Sequence, residues 1–394
     1  MIHIKTQHFS LNRILLLAIG LWPYQKSKFV RLQVIVIYGI LISFVIFQFT
    51  ALITTKCTLD FIIKIISTAI FFSFYIIKYN MFWINIHRVK NMLEQLQDIC
   101  DKLKDENEIA IILKYGNNAK HCTAIFTSLA ICSTFIAILM PIWPQICDTV
   151  SHINGSRQNH TIYIVTEYFI DKKEYFYLII LHINAVMCIG ATTIIATGTT
   201  LLGYIIHVCG MFKIASYRIE QAMAPKVLEN INVTNRTMIY KKIFYAVEIH
   251  RKAMKFANAL ISNFEGSFLL LIILSVISLS LNIFAVFRNA LLRNKEGFFL
   301  HLIAMNIIFS FLLIGNYAGQ EVINHSNHIY FTAYNVQWYV APLRAQKMIL
   351  FILQRGNKTY SLNIAGLYVP SLECFAMLTK ASISYFTVLQ SMQH

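Results

Sequence analysis

Residues 176–206 read "FYLIILHINAVMCIGATTIIATGTTLLGYII", and whether this stretch crosses a membrane once or twice decides the fold. A helix crossing about 30 Å of hydrocarbon needs roughly 20 mostly apolar residues. The stretch exceeds one crossing and falls short of two joined by a turn, so it counts once, with its surplus extending beyond the membrane. Six more stretches pass the same test, at 32–52, 61–80, 122–143, 264–287, 298–318 and 366–390. The chain is 57% hydrophobic and 13% charged over 394 residues, with a mean hydropathy of +0.58. Soluble domains run near half and a quarter, so the sequence predicts an all-α membrane protein of seven helices.

The formal net charge of +16 does not gather on one soluble face, which argues against nucleic acid as a partner. Of the 34 Lys and Arg, 24 lie in 1–31, 81–121, 207–263 and 319–365, and seven in the alternate loops 53–60, 144–175 and 288–297. Basic residues near span ends stay cytoplasmic. This predicts a cytoplasmic N-terminus and an extracellular C-terminus. A receptor that couples to G proteins needs the reverse, and the chain has neither Asp-Arg-Tyr nor Asn-Pro. Asn154 and Asn159 head N-x-Ser/Thr triplets in the loop placed outside, where glycosylation is expected. The run "ILLLAIGLWP" at 14–23 is too short to span, and no small-x-small cleavage site follows it, so an interfacial helix is expected.

No internal repeat or linker divides the chain, so residues 1–394 are expected to form a single membrane domain. Residues 238–266 carry apolar positions at helical spacing and lead straight into span five. Residues 341–354 predict a helix too short to cross. Apolar faces outside the membrane must pack on something, so a cytoplasmic helical layer is expected beneath the bundle, over about 207–263 and 319–365.

The chemistry of an enzyme is missing. The eight cysteines show no C-x-x-C and the thirteen histidines no metal spacing. No phosphate loop, nucleophile elbow or dinucleotide fingerprint occurs, so neither a cofactor nor a bound metal is expected. Cys57 and Cys147 are the cysteines of the predicted outside loops, either a disulfide or two free thiols. Charges inside the spans are few, Lys64, Glu265, Glu373 and Lys380 among them, with no clear transporter pattern. Lys380 must face protein or water.

Residues 361–392, "SLNIAGLYVPSLECFAMLTKASISYFTVLQSM", resemble the C-terminal signature of the insect odorant receptor family, through Leu362, Ile364, Ala365, Gly366, Ser371, Leu372, Glu373, Phe375, Lys380, Ser382, Ser384, Tyr385 and Phe386. "YAGQ" at 317–320, Ser326 and "AYNVQWY" at 333–339 resemble its run between spans six and seven. "HVCGMFKIASYRIE" at 207–220 and "GLWP" at 20–23 extend the likeness over nearly the whole chain. Gustatory receptors end differently: Ser384-Tyr385 here leads into "FTVLQSM". The obligate odorant co-receptor has a much larger second cytoplasmic loop, so the chain resembles a ligand-tuned subunit.

The resemblance implies an odorant-gated, cation-permeable channel, a heterotetramer with the co-receptor in the plasma membrane of a sensory neuron dendrite. It makes 366–392 the pore helix, with a gate at Val388 and Met392. Ser391 then lies at the pore mouth, or is a solvated serine at a frayed helix end. The chain stops at "ASISYFTVLQSMQH" (381–394) as expected of a helix ending at that mouth. A pocket for a small volatile ligand is implied in the outer halves of spans two to six, within 61–318. Its candidates are Phe71, Phe72 and Phe74; Thr134, Phe135 and Leu139; Tyr177, His182, Ile183 and Met187; and Leu300 and Ala304. His182 is either a polar handle of that pocket or an interhelical hydrogen-bonding residue. The alternatives are a gustatory-type channel working without the co-receptor, and a secondary transporter.

Overall fold

The computed structural model describes residues 4–25, 27–54, 58–139, 164–171, 174–229 and 232–392. Cys57, Cys147, Asn154 and Asn159 lie outside them. Twelve α-helices are described: α1 Ile4–Gln7, α2 Ser10–Ala18, α3 Lys28–Thr54, α4 Leu59–Ile84, α5 Ile86–Asp101, α6 Glu106–Leu139, α7 Phe176–Ala222, α8 Pro225–Leu228, α9 Val233–Leu291, α10 Lys295–Asn335, α11 Leu343–Gly356 and α12 Leu372–Ser391. Seven of them, α3, α4, α6, α7, α9, α10 and α12, are long and apolar enough to cross a membrane. Among the described residues, the β-structure is one isolated bridge between Ile364 and Tyr368.

The stretch that decides the span count is one unbroken helix. α7 runs 47 residues, about 70 Å at 1.5 Å per residue, so its second half extends well past the hydrocarbon. α9 does the same over 59 residues and carries 238–266 into span five without a break. Together with α5, α11 and the matching ends of α6 and α10, these extensions form a helical layer at the basic end of the bundle.

α7 is the hub, packing on α2, α3, α4, α6, α9 and α10. Its sequence explains why. Gly190, Gly203 and Gly210 remove side-chain bulk, which makes room for the side chains of Tyr75, Phe9 and Tyr115 from neighbouring helices. Thr193, Thr197, Thr199 and Thr200 return their hydroxyls to carbonyls one turn back, so the O–H donors of these buried groups are satisfied within the helix.

The N-terminal segment forms a short helix, Ser10–Ala18, as its apolar run predicts. α2 docks on α7 and α6, because Asn12 is buried and finds its partners there. Its amide donates to Thr199 Oγ1 at 2.7 Å, and Thr123 Oγ1 donates to its carbonyl at 3.3 Å. Tyr79 donates to Ile19 O at 2.9 Å. His8 is buried beside His207 with ring nitrogens 3.1 Å apart; burial and the Lys120 ammonium hold its imidazole below the usual histidine range.

The last span also begins later than hydropathy places it, at Leu372 rather than 366. Pro370 cannot continue a helix toward its N-terminal side, and Ser371 caps the new one, its Oγ accepting from Cys374 N at 3.1 Å. The apolar residues before it form a tight loop closed by Ile364 N donating to Tyr368 O at 2.8 Å.

Candidate functional site

Two regions carry the residues singled out above, one around α4 and one along α12. On α4, Phe71, Phe72 and Phe74 are all buried. Phe72 meets Phe44 of α3 edge-on with centroids 4.6 Å apart, and Phe74 meets Phe311 of α10 edge-on at 6.2 Å. Edge-to-face geometry suits rings whose faces are negative and edges positive. The structure joins these three to Ile183, Met187, Leu300 and Ala304 in the main apolar cluster of the fold.

Thr134, Phe135, Leu139 and Tyr177 are not part of that cluster. Phe135 and Tyr177 stand exposed on the outside of the single chain, Tyr177 at 72%. Thr134 and Leu139 are half-buried on the same outer part of α6. His182 is tied into the helix framework. Its Nδ1 lies 2.8 Å from Tyr168 Oη, and its Nε2 lies 3.2 Å from Ser43 Oγ and 3.3 Å from Ile40 O. Phe44 and Phe47 of α3 flank the ring edge-on. The imidazole thus joins α7 to α3 and to the segment before α7. Tyr168 and Ser43 carried no signal in the sequence, because neither belongs to a motif and Ser43 lies on another helix.

Lys78 is the larger omission. It sits near the end of a span by hydropathy, yet α4 continues to Ile84 and the side chain is 3% exposed. Its ammonium lies over the Phe311 ring, 4.7 Å from the centroid.

α12 packs on α9 and α10 through one side only. Cys374 and Ser382 are buried, Phe375 meets Phe309 at 5.1 Å, and Phe386 meets Phe287 at 5.9 Å. The opposite side carries Met377, Lys380, Ser384, Val388 and Ser391 at steps of three and four residues, all exposed, with Met392 exposed just beyond. Recurrence at that spacing makes one stripe along a helix. The base of α12 is fixed by α10. Asn316 Oδ1 accepts from Tyr368 Oη at 2.7 Å and from Ser371 N at 3.1 Å, while Gln320 Oε1 accepts from Leu372 N at 3.4 Å. Gly319 sits under Pro370, where a Cβ would stand 2.4 Å from the Pro370 carbonyl oxygen. "YAGQ" and "PSLE", two of the stretches that carried the resemblance, are thus one contact. Among the described residues, no three His, Cys, Asp or Glu side chains gather as a metal site.

A family model described as 7tm Odorant receptor matches residues 58–383. Among curated proteins, the odorant receptor co-receptor of Aedes albopictus is 24% identical over 184 residues, 43% of this chain and 38% of that protein. The Drosophila melanogaster co-receptor is 25% identical over 154 residues, 39% of this chain and 31% of that one. The matched stretch therefore spans about a third of these relatives' own length. Among solved structures, the insect olfactory receptor OR5 from Machilis hrabei in complex with eugenol superposes with a TM-score of 0.78 at 16% identity, covering 99% of both chains. A second structure of OR5 from Machilis hrabei gives 0.76, also at 16% identity, over 97% of each chain.

Proposed function

Because this chain belongs to the 7tm odorant receptor family, we propose that it is the ligand-tuned subunit of an odorant-gated, cation-permeable channel. It assembles with the odorant co-receptor as a heterotetramer in the plasma membrane of a sensory neuron, its N-terminus cytoplasmic and its C-terminus outside. The observation that carries this reading is the exposed stripe on α12. Lys380, Ser384 and Ser391 make that face too polar to meet lipid, and polar side chains within spans face protein or water. Four such helices around an axis give a water-filled lumen. Val388 and Met392, at its outer end, form an apolar ring that closes by dewetting, without a charged plug. The basic end of the bundle faces the cytoplasm, as positive charge near span ends requires.

The ligand is a small volatile. Its pocket lies in the outer half of the bundle beside Phe71, Phe72, Ile183 and Met187, where apolar burial contributes roughly 25 cal/mol per Å² without directional partners.

The test is whole-cell current under a panel of volatiles, in cells expressing this chain alone or with an insect co-receptor. Odorant-evoked cation current only on co-expression, beyond that of the co-receptor by itself, is the expected result. Val388→Ser should then raise the current that flows without ligand. Current from this chain alone would favour the gustatory-type channel, and substrate flux without current would sink the channel reading.

A further inference from the structure

Lys78 is an ammonium with no counterion. It is 3% exposed, and the Phe311 ring is its polar contact: among the described residues no carboxylate or hydrogen-bond acceptor reaches Nζ. The carboxylates of the spans are Glu265, whose Oε1 accepts from Ala365 N at 2.6 Å, and Glu373 at the exposed base of α12; residues 28–54, 61–84, 109–139, 176–219, 266–291 and 297–320 contain no Asp or Glu. A ring face attracts a cation but does not replace the water or anion that burial removes. One turn before it, Tyr75 is 4% exposed, and its hydroxyl likewise has no hydrogen-bond partner among the described residues. That ring is seated deliberately, since a Cβ on Gly190 of α7 would stand 2.0 Å from it. Two polar groups one turn apart on α4, Tyr75 against α7 and Lys78 against α10, thus lie next to an aromatic wall without a hydrogen-bond partner among the described residues. Tyr75 touches Phe71 and Phe72 edge-on at 5.6 and 5.5 Å, and Phe74 joins the wall to Phe311.

We propose that Lys78 and Tyr75 form an anion-recognising floor beneath the odorant pocket, which takes the carboxylate of a volatile-sized monocarboxylic acid whose apolar chain lies against Phe71 and Phe72. The ammonium supplies the missing charge partner through a charge-assisted hydrogen bond, and the tyrosine hydroxyl donates to the second carboxylate oxygen. A neutral ligand of the same length leaves the lysine unpaired, so the floor discriminates acids from alcohols as buried polar groups do when a substrate lacks their partner. This deepens the reading above and rests on it for the pocket.

The test measures binding directly, so that it does not depend on channel activity. Radiolabelled octanoate is titrated onto the purified chain in lipid nanodiscs, with 1-octanol and palmitate as competitors. Saturable octanoate binding is expected, with octanol weaker by about tenfold or more. Lys78→Met should weaken octanoate by a similar factor and leave octanol unchanged, while Lys78→Arg, which keeps the charge, retains octanoate binding and guards against misfolding. Absence of octanoate binding, equal affinity for octanol, palmitate as the preferred ligand, or an unchanged Lys78→Met would each overturn the proposal. Parallel currents with the co-receptor separate the two readings. Octanoate bound through Lys78 without any evoked current removes the channel and keeps the site; currents from neutral volatiles without octanoate binding do the opposite.

Discussion

Arg218 donates Nε and Nη2 to the two Glu108 oxygens at 2.6 and 2.7 Å and Nη1 to Tyr245 O at 2.7 Å, so one guanidinium ties α6, α7 and α9 together. Both side chains are largely buried, and breaking such a pair costs more than forming it gains, because it leaves a charge uncompensated. Glu108→Gln should destabilise the fold by about 3 kcal/mol, read as a lowered melting temperature of the purified protein. Gly116 makes a different demand: a Cβ there would stand 2.1 Å from the His8 ring. Gly116→Ala should force the N-terminal segment off α6, at a cost of about 1–3 kcal/mol, and open exposed Arg13 to trypsin. Unchanged protection of Arg13 would mean the imidazole swings aside. Neither partner could be found in the sequence, since 110 residues separate Glu108 from Arg218 and His8 is one histidine of thirteen.

At the scale of elements, the sequence marks where helices run and the structure marks which ones hold one another. The periodicity of 238–266 was legible because a helix that packs on one side repeats its apolar residues every three to four positions. The start of α12 was legible only in part: Pro370 and Ser371 are visible stop and cap signals, yet the apolar run before them masks the boundary. What the start of α12 rests on is a contact between two helices. Gly319 meets Pro370 backbone, not a flexible side chain, so Gly319→Ala cannot be absorbed by a rotamer change. The expected outcome is a protein that reaches the surface at near-normal level but whose odorant-evoked current falls strongly, because Ser371 and Leu372 no longer seat on Asn316 and Gln320. Normal current would show that the base of α12 is not what couples it to α10.

For the whole molecule, orientation is the property most directly open to test. With 24 of 34 basic residues in four alternating segments, an epitope at residue 394 should bind antibody on intact cells and one at residue 1 only after permeabilisation; the opposite pattern would reverse the topology proposed here. The amino-acid sequence by itself determined the span count, the helical extensions at the basic end and the motifs that place the chain in its family. These are properties of length, hydropathy and local order, each readable within one segment. Only the tertiary structure decided which apolar side chains converge and which face outward. In a bilayer a span is apolar on every side, whether it meets lipid or protein, so hydropathy does not separate buried Phe72 from exposed Phe135. The same blindness hid the partners of His182 and the burial of Lys78, because an interhelical contact is fixed by how helices are rotated against one another, and nothing within a single segment records that rotation.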